Sequence, residues 1–210
     1  ACRYWRNKDW MVNQRPFFHV ISLLNPHDIY YLDSEETREP TLEPWANQGD
    51  PMTKKPWPQR AKYDPSRWSP ERWEYYRQFY ASRLEKVDAQ IAELIEEMIC
   101  GGFGPNTWVI FTSDHGDMAG CHGMFGKGVM YDEAVRVPLL VRMPQAPGAR
   151  TVARPVATVD LFSTILDLAG APIPESAEGR SFRSDLAPGA ANADDERDVF
   201  IEYKQDCIVR

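Results

Sequence analysis

Four apolar runs and one long apolar stripe set the order of elements along the chain. Phe17-Phe18-His19-Val20-Ile21-Ser22-Leu23-Leu24 is nearly continuous and of strand length. It fits a strand buried on both faces, or a short buried helix. Asn25-Pro26-His27-Asp28 ends it, because proline brings no N–H to a ladder. Tyr80, Leu84, Val87, Ile91, Leu94 and Met98 recur at spacings of 4, 3, 4, 3 and 4, which reads as the core stripe of a helix. Ser69 suits its N-cap, Pro70 its first turn and Gly101-Gly102 its end. The runs Trp108-Val109-Ile110-Phe111 and Val137 to Arg142 predict two more strands, the second ended by Pro144 and Pro147. A helix follows from Asp160 to Leu168 with Gly170 as its stop. Val199 to Tyr203 reads as a last strand. Strand, long connection, helix, strand, loop, strand, helix predicts a three-layer α/β/α fold with a mostly parallel central sheet.

Two stretches fall outside this pattern. Residues 33–70 hold seven prolines together with Trp45, Trp57 and Trp68. They read as a long ordered loop, packed on the body or lining a cleft. Lys54-Lys55 in it is a solvated pair, or a contact for an anionic substrate. Residues 171–198, rich in Pro, Ala, Asp and Gly, read as surface loop. Composition changes the picture mainly by exclusion. With 210 residues the chain can bury a sizeable core. A net charge of −7 without a basic block argues against a nucleic-acid partner. No apolar run approaches the roughly 20 residues of a membrane span, and no signal peptide is visible. Cys2, Cys100, Cys121 and Cys207 are widely spaced and read as unpaired thiols.

The candidate chemistry sits where the second strand run stops. Thr112-Ser113 is followed by Asp114-His115-Gly116-Asp117, then His122-Gly123 and Lys127. In open α/β sheets ligands bind outside the carboxyl ends of strands, and glycines there let the backbone approach them. An adjacent carboxylate and imidazole can turn to one cation, so Asp114 and His115 are the candidate metal ligands. By ligand chemistry alone, His favours Zn or Mn over Ca. The plain alternative is a capping Asp beside a packing His. Lys127, thirteen positions after Asp114, is a point charge suited to a sulfate or phosphate oxygen. Outside such a setting it would be a solvated surface charge. His27, at the end of the first run, can protonate a leaving-group oxygen, or it is a structural histidine beside a turn. Asp117 reads as a cap that orients the loop.

Ser113-Asp114-His115-Gly116-Asp117-Met118, Gly120-Cys121-His122-Gly123, Gly126-Lys127-Gly128 and Tyr131-Asp132-Glu133-Ala134-Val135-Arg136-Val137-Pro138-Leu139 resemble the C-terminal signature region of the sulfatase family. That family belongs to the alkaline phosphatase superfamily. Weaker echoes run from Pro16 through Asp28, at Val87-Asp88, and from Val159 through Gly170. The resemblance implies an alkaline-phosphatase-like α/β domain and hydrolysis of sulfate esters. It implies a divalent metal held by several acids, calcium first and manganese second, with Asp114 and His115 as part of the ligand set. It places Lys127 on the sulfate group and gives His27 the role of general acid. His122 falls in the family's Gly-x-His-Gly segment and is a candidate substrate contact, although Cys121 stands where an acid is usual.

The family's nucleophile is a formylglycine made within a Cys/Ser-x-Pro-x-Arg motif. That motif is not in this sequence. Cys2-Arg3-Tyr4-Trp5-Arg6 comes nearest, but Tyr4 stands where Pro belongs. The family's first strand, with its pair of metal-binding aspartates, is also missing. The chain opens Ala1-Cys2-Arg3 without Met. It therefore reads as the C-terminal part of a sulfatase catalytic domain, incomplete at its N-terminus. The nucleophile is expected on a complementary N-terminal segment or chain. The expected substrate is a sulfate ester, a sulfated sugar being suggested by the aromatic residues of the long loop. Two other readings remain: a phosphodiesterase or phosphonate monoester hydrolase of the same superfamily, and a non-catalytic sulfatase-like binding protein.

Overall fold

The structure is a computed structural model that describes residues 16–30, 68–144, 148–187, 197–203 and 206–209. Most of the expected loop over 33–70, and residues 188–196 of the later one, lie outside these residues. The described chain divides into two compact units. One comprises Asp117–Lys127 with the described residues up to Thr107. The other comprises Trp108–Gly116 with the described residues from Gly128 onward.

The first unit is built on helix α1, Pro70–Cys100. The Ser69 hydroxyl accepts from the Arg72 N–H at 3.3 Å, satisfying one orphan donor of the first turn. Pro70 fills a position that needs no donor. At the far end Gly102 is left-handed, with φ +87°. Its N–H reaches the Ile99 carbonyl at 2.9 Å, and the Phe103 N–H reaches Met98 at 3.1 Å. These two bonds close a Schellman cap, and Met98 and Phe103 are both buried beside it.

The expected stripe is buried differently from its pattern. Trp73, Tyr76, Phe79 and Arg83, near the N-terminal end, are buried, with the Arg83 guanidinium 4.4 Å above the Phe79 ring. Further along, Leu84 is 43% exposed, and of the six stripe residues Met98 alone is fully buried. Ile29, Tyr76 and Phe79 form a core cluster, joined by Trp68, Tyr80, Ala119 and Phe125.

Residues 17–24 do not form the expected strand. They take no regular secondary structure ahead of a turn, and Phe18, Val20 and Leu24 are 70–71% exposed. A strand needs a neighbour to take its N–H and C=O groups, and no described strand pairs with this segment. The Asn25–Pro26 peptide is cis. A 3₁₀ turn, His27–Tyr30, follows it and drives Ile29 into the core.

In the second unit, β1, Val109–Thr112, pairs with β2, Leu139–Arg142. The pairing is antiparallel, with Val109 opposite Arg142 and Thr112 opposite Leu139. A second antiparallel pair joins β3, Phe200–Tyr203, to β4, Asp206–Val209. The α/β character is as expected, but both described pairings are antiparallel where a mostly parallel sheet was expected. The reason is local: β2 re-enters beside β1 after a loop with one short helix, α2, Asp132–Val135, rather than after a long crossover helix. β4 was not foreseen.

Helix α3, Asp160–Leu168, has the predicted bounds. Its fully buried Asp160 accepts from the Ala157 and Arg180 N–H groups, each at 2.8 Å, and from Arg197 Nη2 at 2.6 Å. Gly170, at φ +69°, ends it. A short helix, α4, Arg183–Leu186, follows.

Candidate functional site

The residues singled out by the sequence fall in both units. Asp114 and His115 belong to the second. His27, His122 and Lys127 belong to the first.

Asp114 and His115 follow β1 directly. The Ser113 hydroxyl donates to the His115 carbonyl at 2.8 Å, and the His115 N–H donates to Asp114 Oδ1 at 2.9 Å. Gly116 anchors the turn through its N–H, 2.8 Å from the Ala134 carbonyl at the end of α2. A Cβ at Gly116 would run into the Glu133 carbonyl, so only glycine permits this approach. His115 Nδ1 lies 2.9 Å from the Gly116 carbonyl. A carbonyl only accepts, so Nδ1 donates this bond and Nε2 is the ring nitrogen turned toward Asp114. That is the orientation of a metal-ligating histidine. Nε2 sits 3.4 Å from Asp114 Oδ2 on an exposed carboxylate. Two donors this far apart can share one divalent cation at bond lengths of about 2.0–2.5 Å. Among the described residues no third His, Cys, Asp or Glu joins them. The pair therefore fits a metal as part of a larger ligand set.

In the first unit the segment from Asp117 to Lys127 forms a closed loop. Its ladder runs from the Met118 N–H to the Gly126 carbonyl at 2.8 Å and from the Gly120 N–H to the Met124 carbonyl at 2.9 Å. Met118 and Met124 are buried beneath it. Asp117 caps the loop as expected, accepting from the Ala119 N–H at 2.8 Å. It also accepts from the Tyr76 hydroxyl at 3.0 Å on each oxygen. Burial pushes the nearby Tyr80 phenol above its ordinary pKa, and the Asp117 charge adds to this. Phe125 packs on Trp68, with ring centroids 5.3 Å apart. Lys127, two residues on, is half-buried.

His122 is only 5% exposed and holds a left-handed backbone, φ 55° and ψ 22°. Non-glycine residues adopt such a conformation only where their surroundings enforce it. His27 is exposed at the head of its turn, its N–H bonded to the Leu24 carbonyl at 3.1 Å.

Tyr76 is the residue that sequence reasoning missed. Trp73, Tyr76, Tyr80 and Arg83 also recur at helical spacing, just ahead of the aliphatic stripe, and that aromatic pattern was the available signal.

A protein-family model described as Sulfatase matches residues 4–171. The uncharacterized sulfatase YidJ of Escherichia coli K12 is 36% identical over 132 residues, 62% of this chain and 24% of that protein. N-acetylglucosamine-6-O-sulfatase of Bacteroides thetaiotaomicron is 33% identical over 135 residues, again 62% and 24%. A solved phosphonate monoester hydrolase, SpPMH from Silicibacter pomeroyi, superposes with a TM-score of 0.59 at 30% identity. That match covers 68% of this chain and 30% of the hydrolase. The chain spans about a quarter of the length of the curated relatives it matches. The family match takes in both strands of the first pair and the whole Asp114–Lys127 stretch, and this chain belongs to the sulfatase family.

Proposed function

We propose that this chain supplies part of the active site of a sulfate-ester hydrolase. The observation that carries the reading is the Asp114–His115 pair, held with Nε2 3.4 Å from Asp114 Oδ2 at the exit of β1. Asp114 and His115 would hold a divalent metal, calcium first and manganese second. When bound, the metal supplies positive charge to the sulfate oxygens and to the nucleophile. The Lys127 ammonium binds a sulfate oxygen and offsets its charge. His27 donates a proton to the ester oxygen as the alcohol leaves. Its exposure supports that role, because it is open to a ligand. The burial of His122 favours support of the loop over direct contact with substrate.

The nucleophile, a formylglycine in sulfatases, is not encoded here. We infer that a complementary N-terminal segment or chain provides it, and that residues 1–210 form the C-terminal part of one catalytic domain. In that domain residues 17–24 join a three-layer, mostly parallel sheet. The exposed Phe18, Val20, Ile21 and Leu24 support this. A sulfated sugar is the substrate class favoured, since one relative is named an N-acetylglucosamine-6-O-sulfatase.

A second reading, phosphonate monoester hydrolysis, is favoured by the likeness to SpPMH. The test is turnover of 4-nitrophenyl sulfate and of a phenylphosphonate monoester. It uses this chain alone and the chain joined to a segment bearing Cys/Ser-x-Pro-x-Arg. Sulfate turnover is expected only in the joined form, falling about 10²–10⁴-fold in His27→Ala. Preference for the phosphonate selects the second reading. Full turnover by this chain alone overturns the divided-site proposal.

A further inference from the structure

We propose that Tyr76 is a positioning residue: one buried side chain clamps both ends of the loop that presents Lys127 and seats the turn that presents His27. The proposal rests on the reading of Lys127 as the sulfate contact. Tyr76 is fully buried on the second turn of α1. Its hydroxyl donates to Asp117, with both carboxylate oxygens at 3.0 Å, at the start of the loop. Its ring meets Phe125 edge-on, at 6.5 Å between centroids and 83° between planes, near the loop's end. Phe125 stands two residues before Lys127. The same ring packs in the cluster with Ile29, two residues after His27.

The loop cannot hold this arrangement by itself. Its internal ladder ties Met118 to Gly126 and Gly120 to Met124, which fixes its own shape. It does not fix where that shape sits on α1. Contacts to α1 and to Trp68 bear on that: the hydroxyl on Asp117, the ring on Phe125, Trp68 against Phe125, and Ala119 packed on the core cluster. A hydrogen bond to a carboxylate is directional, so it fixes the rotation of the loop as well as its distance. Removing the hydroxyl leaves the ring packing in place and frees that rotation. Lys127 is then held less tightly, and a point charge binds an anion best when held in one position.

The test is inorganic sulfate binding by this chain, followed by isotope-edited NMR, with thermal midpoints recorded alongside. Lys127→Ala is expected to abolish binding. Tyr76→Phe is expected to weaken it about tenfold, the loss of one charge-assisted hydrogen bond. Its midpoint should fall no further than that of Ser82→Ala, which removes a hydroxyl bonded to Phe79 on the same helix. Ser82→Ala should bind sulfate as the unmodified chain does. Asp117→Asn, which still accepts from Tyr76, should keep most of the affinity that Asp117→Ala loses. Binding lost in Lys127→Ala but unchanged in Tyr76→Phe overturns the positioning role and leaves the Lys127 reading standing. No binding by the unmodified chain, or equal binding in Lys127→Ala, overturns the Lys127 reading and this inference with it. If Tyr76→Phe fails to fold, the two Asp117 variants decide, and equal affinity in both overturns the proposal.

Discussion

Ser181 donates to Asp167 Oδ2 at 2.6 Å, and Arg183 Nη1 donates to Oδ1 at 3.0 Å. These bonds, the Ser181 one first, hold the Asp167 carboxyl below its ordinary pKa. The folded protein therefore binds this proton less readily than the unfolded chain. The stability it contributes is complete above the ordinary carboxylate value, about 3.9. It is lost as pH falls through the lower folded value. Ser181→Ala should move the Asp167 titration back up toward the ordinary value, as read by carboxyl ¹³C shifts against pH. An unmoved titration would show that Arg183 holds the group alone. At this scale the sequence is informative where chemistry and spacing coincide. Asp114, His115, Gly116 and Lys127 stand together in one short stretch, and their residue types mark it as a candidate site. The Tyr76–Asp117 bond joins residues 41 positions apart. No spacing rule marks such a pair, because helix and loop meet only in the folded chain.

Helix ends were legible for a simple physical reason: the signals are covalently local. Ser69-Pro70, Gly101-Gly102 and Gly170 act on the turns they flank. Strands depend on partners, and there the pattern was less informative. Residues 17–24 read as a strand by composition yet remain unpaired among the described strands, while β4 was hidden in the short Asp206–Val209 run. The mostly aliphatic half of the α1 stripe was legible as helix but not as core, since periodicity gives a face without saying what covers it. Helix α3 offers the clearest energetic test of an element. Asp160 is buried and serves two backbone N–H groups and Arg197 at once. Asp160→Ala leaves the guanidinium without this carboxylate and two N–H groups without their acceptor. The expected cost is about 3–5 kcal/mol, read from chemical denaturation. A loss below about 1 kcal/mol would mean that solvent replaces all three bonds.

For the molecule as a whole, family membership was the most legible property, because one uninterrupted motif carries it. The Cys/Ser-x-Pro-x-Arg motif is not in the sequence. A metal site with two protein ligands is a weak one. Calcium titrated into this chain should bind with a Kd of about 10⁻³ M or weaker, and Asp114→Ala should remove the response. Micromolar binding would instead require further ligands from this chain. No helix among the described residues is long and apolar enough to cross a membrane.

The apolar segment ahead of His27 also governs how the chain behaves in a tube. Phe18, Val20, Ile21 and Leu24 present large apolar side chains to water, and the segment's backbone pairs with no described strand. Such a segment is a template for another copy of itself. Light scattering by the purified chain should rise steeply with concentration, and a gatekeeping charge in Val20→Lys should suppress that rise without altering the helix signal in circular dichroism. The same eight residues make a useful reporter: a partner that covers them should also keep the chain in solution.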